Sequence, residues 1–253
     1  MDQRPSSGVG TDSTQAVGQQ VAWWDIGAFY AIALLIAAPF NAGVTDSWLR
    51  DTFPGTPLAE WTFLPAALGP ALAATILRTW GRRTPRHMTV LGVGVRQNLF
   101  ASILPVVVFA SIGGIGVVLP CVALVYALGE ELGWRGYLAD ALGSLPASAR
   151  YGLTALLWWP WHLRFETTFD WVGFPLIVLA SCWVLGHAAK ETNSVLVAAA
   201  MHAAVILLTA NGPPTGSLAL AGGITLGGWI LAGMLFPVDP SLRDAESGTR
   251  AAP

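Results

Sequence analysis

The sequence predicts an all-α fold, a polytopic membrane helix bundle of about eight transmembrane helices, on the strength of three observations. Of 253 residues, 54% are hydrophobic and only 11% are charged, and the mean hydropathy is +0.57. A soluble domain carries roughly 25% charged residues, so water is not the main solvent of this chain. The apolar residues gather in runs, each near the ~20 residues that carry a helix across a bilayer. The basic residues fall almost wholly on alternate sides of those runs.

The runs lie at about 23–44, 60–80, 99–118, 120–142, 150–166, 171–189, 194–210 and 217–236, inside one transmembrane domain of residues 22–237. Pro120 separates the third from the fourth. Residues 1–21 are rich in Ser, Gly, Gln and Asp, lack an apolar period and read as a disordered cytoplasmic tail; residues 238–253 read the same way. The first apolar run follows a polar stretch containing Asp2, Asp12 and Asp25, which does not suit a secretory signal peptide. With the N-terminus cytoplasmic, Arg4, Arg78, Arg82, Arg83, Arg86, Arg96, Arg150, Lys190, Arg243 and Arg250 lie inside or at inner helix ends. Arg50 and Arg164 lie outside, and Arg135 falls within a span. This bias places both termini in the cytoplasm, and a cell (plasma) membrane is the expected location. Trp23, Trp24, Trp48, Trp61 and Trp80 sit near the ends of the first two runs, as an interfacial belt would.

No internal repeat marks an inverted-repeat transporter. A net charge of −2 offers no basic field, so nucleic acid is not an expected partner. Cys121 and Cys182 stand in apolar runs without metal-ligand spacing and read as packing residues. The last run carries Gly222, Gly223, Gly227, Gly228 and Gly233, which suits close helix packing, with dimerisation as the alternative. His87 and His187 read as surface residues.

The chemistry concentrates where charge is most costly. The fourth run contains Gly129-Glu130-Glu131-Leu132-Gly133-Trp134-Arg135, and one ionisable residue at a membrane helix centre costs about 2.5–3.5 kcal/mol. Glu131 and Arg135 share a helical face and can pair, which leaves Glu130, rotated about 100° away, without that partner. A pair that merely staples helices accounts for Glu131 and Arg135 but not for Glu130. His162 lies in the fifth run, within Trp158-Trp159-Pro160-Trp161-His162, and His202 lies in the seventh. Counted along their helices, Glu130 lies roughly 15 Å from Pro120, His162 roughly 18 Å from Arg150 and His202 roughly 12 Å from Ser194, at similar depths. Three helices thus bring a carboxylate and two imidazoles toward one cavity. Pro160 is expected to kink the fifth helix just before His162. Trp158, Trp159 and Trp161 are equally placed to wall the cavity or to pack elsewhere.

In order, Glu130-Glu131-x-x-x-Arg135, Trp158-x-x-x-His162 and His202 resemble the CPBP family of intramembrane proteases, which comprises CAAX prenyl proteases, bacteriocin-processing enzymes and Abi relatives. The resemblance covers roughly residues 118–210. It implies a glutamate-dependent endopeptidase of eight helices that works without a metal. Glu130 and His162 would activate the attacking water, Glu131 and Arg135 would hold the site together, and His202 would help stabilise the oxyanion. The family usually has Phe where Trp158 stands, and Asn four residues after the second histidine, where this chain has Ile206. Losing such a donor costs about 100- to 1000-fold in rate, and neither Asn193 nor Asn211 is placed to replace it.

The expected partners are the bilayer and a membrane-associated or lipidated peptide substrate, in CAAX-type or leader-peptide processing. No cofactor is expected; zinc held by Glu130, His162 and His202 is the alternative. A member that lost turnover and acts as a bacteriocin-immunity or scaffold protein is the second functional reading. A small-ion or proton transporter with Glu130 as carrier is a third. Substrate identity and oligomeric state are not legible in the sequence.

Overall fold

The computed structural model describes residues 21–80, 88–209 and 215–235. The expected tails, the basic loop with Arg82, Arg83, Arg86 and His87, and Asn211 lie outside the described residues, apart from Val21. The architecture is all-α, and among the described residues the only β contact is a parallel bridge between Thr89 and Ser194.

Each apolar run folds as a helix. The long ones are α1 (Trp23–Asn41), α4 (Leu68–Thr79), α5 (Val95–Ser111), α6 (Val118–Glu131), α8 (Ala147–Trp161), α9 (Phe174–Thr192), α10 (Val195–Thr209) and α11 (Gly216–Leu235). Three stretches, Trp23–Asn41, Phe169–Thr192 and Gly216–Met234, are long and apolar enough to cross a membrane, while Leu64–Thr79, Val95–Ser111 and Val195–Thr209 are shorter apolar helices. Two short helices not expected from the sequence, α2 (Asp46–Thr52) and α3 (Pro57–Glu60), fill the link between α1 and α4.

The expected run at 60–80 divides because Pro65 and Pro70 interrupt its start: a 3-10 turn at Leu64–Ala67 precedes α4. Trp61 belongs to the core rather than to a belt, stacked on Phe63 with ring centroids 6.1 Å apart. Trp23, Trp24, Trp48 and Trp80 are exposed. The fourth run changes character after Glu131. It continues as a π-helical segment, Leu132–Leu138, and ends in a short turn, α7 (Ala139–Ala141). Pro160 does not kink a continuing helix. It lies one residue from the end of α8, and the chain leaves the helix at His162 and takes a left-handed turn at Leu163 (φ 53°).

Two apolar clusters divide the core. One joins α1, α4, the π segment, α8 and α9 around Phe29, Trp134, Tyr137 and Trp161. The other joins α5, α6, α10 and α11 around Phe109, Ala127, Ala203 and Ala221. Helix α6 packs on α10, α4 and α5, and so lies at the seam between them. Gly129 and Gly133 let the α4 side approach: a Cβ at 129 would come within 3.1 Å of the Ala67 carbonyl oxygen, and one at 133 within 2.8 Å of that of Pro70. Helix α10 is held at its start by residues 89–93, whose carbonyls accept from the Val195 and Leu196 amides at 2.9 and 3.0 Å. Asn98 pins that segment by donating to the carbonyls of Leu91 and Val93 at 2.7 and 2.8 Å.

In the last helix, Gly222 and Gly228 pack against Leu208 and Leu104, whereas Gly223 and Gly227, which form the GxxxG pair, have nothing within 4 Å of a Cβ. Close packing therefore explains the first two glycines and not that pair. Gly133→Ala is expected to lower stability by about 1–3 kcal/mol through overpacking. Gly223→Ala should be neutral, and thermal unfolding of both variants in one detergent checks the contrast.

Candidate active site

Glu130 and Glu131 are the last α-helical residues of α6, and both are 0% exposed. Being consecutive, they point in different directions and meet different partners. Glu131 Oε1 accepts from Arg135 Nη1 at 2.9 Å and lies 2.9 Å from His202 Nδ1. Arg135, in the π segment, also donates from Nη2 to Cys182 Sγ at 3.5 Å. A buried pair stripped of one partner typically costs about 3–5 kcal/mol, because the remaining charge has no water to turn to.

Glu130 has a different neighbourhood. Its Oε2 accepts from the Trp158 indole N–H at 2.7 Å, while Oε1 has no hydrogen-bond partner among the described residues. Tyr126, one turn earlier on α6, turns its hydroxyl toward Glu130. His162 lies within electrostatic reach of both Glu130 and His202. Glu130, His162 and His202 are therefore brought to one place from α6, the end of α8 and α10.

The local sequence fixes each histidine. Pro160 has no N–H to continue the ladder, the His162 amide bonds back to the Trp159 carbonyl at 3.2 Å, and the Trp158 carbonyl is left for His162 Nδ1 at 2.8 Å. A carbonyl only accepts, so Nδ1 carries the hydrogen and Nε2 presents its lone pair. His202 is anchored through Nδ1 on Glu131, which leaves Nε2 free to face the site.

The three tryptophans have different roles. Trp158 touches the site directly. Trp159 turns away, donates to the Asp170 carbonyl at 3.0 Å and packs with Phe165 and Trp171. Trp161 is fully buried against Trp134 and donates to the Ala33 carbonyl at 3.3 Å, while Asn41 donates to its own carbonyl at 2.8 Å. It ties the end of α8 to α1, and its ring meets the His162 ring edge-on with centroids 5.1 Å apart.

Sequence reasoning missed Tyr126, whose place four residues before Glu130 was the available signal, and Cys182, which is an acceptor for the site arginine as well as a packing residue. It also missed the partner of Arg78, which donates to Asp140 Oδ2 at 2.8 Å and to the Gly136 carbonyl at 2.9 Å, tying α4 to the end of the π segment. His187 is exposed, as expected. Ile206 is half-buried and packs within the second apolar cluster.

Residues 98–208 match the family model described as type II CAAX prenyl endopeptidase Rce1-like. That segment is similar to the Rce1-like family. It runs from early α5 nearly to the end of α10 and contains Glu130, Glu131, Arg135, Trp158, His162 and His202. The Rce1-like family is one of proteases, and the CAAX-protease resemblance of the motifs is shown over this span. With its apolar helices, the Rce1-like match marks an integral membrane protein. No curated protein matches the chain.

Among the described residues no group of three His, Cys, Asp or Glu side chains is placed to hold one ion. Arg135→Leu is expected to destabilise the purified protein by about 3–5 kcal/mol and Glu131→Gln by less, since the amide keeps an acceptor for Arg135. Unfolding midpoints of the two variants check that order.

Proposed function

We propose that the chain is an intramembrane endopeptidase that hydrolyses a peptide bond with a water activated by Glu130. The observation that carries this reading is the unequal treatment of two adjacent buried carboxylates. Glu131 is paired with a cation: its Oε1 meets Arg135 and His202, and its Oε2, like Glu130 Oε1, has no hydrogen-bond partner among the described residues. Glu130 Oε2 accepts from the neutral Trp158 indole, Oε1 meets no donor in hydrogen-bond geometry among the described residues, and the Tyr126 hydroxyl turns toward this carboxylate. A carboxylate with no cation bonded to it, kept out of water, is disposed to accept a proton.

In the proposed reaction Glu130 Oε1 takes a proton from water while His162 Nε2 accepts a hydrogen bond from its other hydrogen. The water oxygen adds to the peptide carbonyl, and His202, carrying a hydrogen on each ring nitrogen in this step, donates from Nε2 to the developing oxyanion. As the carbon–nitrogen bond breaks, the proton held by Glu130 passes to the leaving amine. Arg135 and Glu131 neutralise each other and keep His202 in place.

The peptidase unit is read as residues 22–237, with about eight spans and both termini cytoplasmic, in the plasma membrane. Cleavage near the cytoplasmic side suits a membrane-associated or lipidated peptide, in CAAX-type or leader-peptide processing. No cofactor enters this scheme. Chelation is therefore expected to leave turnover unchanged, whereas stoichiometric zinc lost on His202→Ala would favour a metal enzyme.

The decisive comparison is of peptide termini in membranes carrying wild-type protein and Glu130→Gln at matched levels. Termini that arise only with wild type are the expected result, with His162→Ala reducing their formation about 100-fold. Coincident profiles would overturn the reading and leave a bacteriocin-immunity or scaffold role in its place.

A further inference from the structure

Trp158 meets Glu130, Arg135, His162 and His202. Its indole N–H donates to Glu130 Oε2 at 2.7 Å, and its ring receives the Arg135 guanidinium with Cζ 4.5 Å from the centroid. His202 meets the ring edge-on at 5.1 Å, and the Trp158 carbonyl holds His162 Nδ1 at 2.8 Å. Only the first contact needs the indole nitrogen. Any aromatic ring would serve Arg135 and His202, and any residue has a carbonyl for His162.

The indole is 3% exposed, so its N–H has no water to turn to, and Glu130 is likewise sealed. A charge-assisted N–H···O bond in such a place is short and strong. The terminal torsion of a glutamate is otherwise broad, so a bond to one oxygen decides where the other points. Arg135 stacks on the same ring that carries this donor and is itself fixed by Glu131.

We propose that Trp158 is the positioning residue for Glu130: its indole N–H locks the carboxylate so that Oε1 faces the attacking water, and Arg135 acts on Glu130 by bracing that indole. The proposal rests on the reading of Glu130 as the group that activates water. Trp158→Phe keeps the ring and the carbonyl and removes only the donor. In the full-length protein acting on a prenylated peptide, kcat is expected to fall about 10- to 100-fold with KM changed less than about twofold. A Trp158→Phe enzyme with wild-type kcat, beside a silent Glu130→Gln, overturns the proposal and leaves the Glu130 reading standing.

A second measurement does not depend on turnover or on the folding of that variant. The indole ¹⁵N–¹H resonance of Trp158, identified by its absence from Trp158→Phe among the 12 tryptophans, should move upfield in Glu130→Leu. An unmoved resonance shows that the indole does not hold the carboxylate and overturns the proposal. If wild type cleaves no peptide, the Glu130 reading falls, and the resonance still decides whether the indole holds that side chain.

Discussion

Two consecutive carboxylates on one helix cannot point the same way, and inside a membrane neither can turn to water. Successive helical residues are about 100° apart, so each carboxylate must find its own partners on its own side. Glu131 reaches the cation of its own chain segment, Arg135, and the imidazole of α10. Glu130 reaches α8, where an indole N–H is what it finds. The seam location of α6 follows from this. A helix with polar groups on two sides has to stand between the clusters, with α10 against one flank and the end of α8 near the other.

The surrounding helices make that arrangement rigid. The π segment begins just after Glu131 and buries Trp134, Arg135, Tyr137 and Leu138 together, which an ordinary helix with one outward face would not do. Gly129 and Gly133 let α4 press against the same stretch. Phe29 of α1, Trp134 of the π segment and Trp161 of α8 form an edge-to-face aromatic chain that ends against His162. The clasp of residues 89–93 on the start of α10 sets the height of His202 by backbone bonds, without a charged group.

Much of this was legible in the sequence. Charge inside apolar runs is so costly that Glu130, Glu131 and Arg135 announce themselves, and helical spacing alone pairs the last two. The depth of the histidines followed from counting residues along each run. What could not be read is what depends on partners distant in the chain. Trp61, at the end of an apolar run, is indistinguishable from an interfacial tryptophan until Phe63 stacks on it. Pro160 says that the helix ladder is interrupted but not whether the helix bends or stops. Here it stops, because His162 satisfies the loose Trp158 carbonyl with its own ring. The identical aromatic character of Trp158, Trp159 and Trp161 hid three different fates, which the bundle decides by rotation about α8. Nothing local marks the switch to π geometry after Glu131.

Ile206 raises a question of magnitude. It sits one turn after His202, in a position where an amide would offer a donor, and it packs instead among the apolar residues of α5, α6 and α11. Removing one preorganised donor costs about 100- to 1000-fold, whereas enzymes accelerate their reactions by about 10⁶-fold or more. If the site is a peptidase centre as proposed, an apolar residue there would slow turnover without by itself abolishing it. The loss falls on transition-state stabilisation, while proton transfer from water depends on how Glu130 is held. Those two burdens lie on different helices, α10 and α8. A departure on α10 therefore leaves intact the geometry that the indole, the carbonyl and the proline of α8 impose on Glu130 and His162.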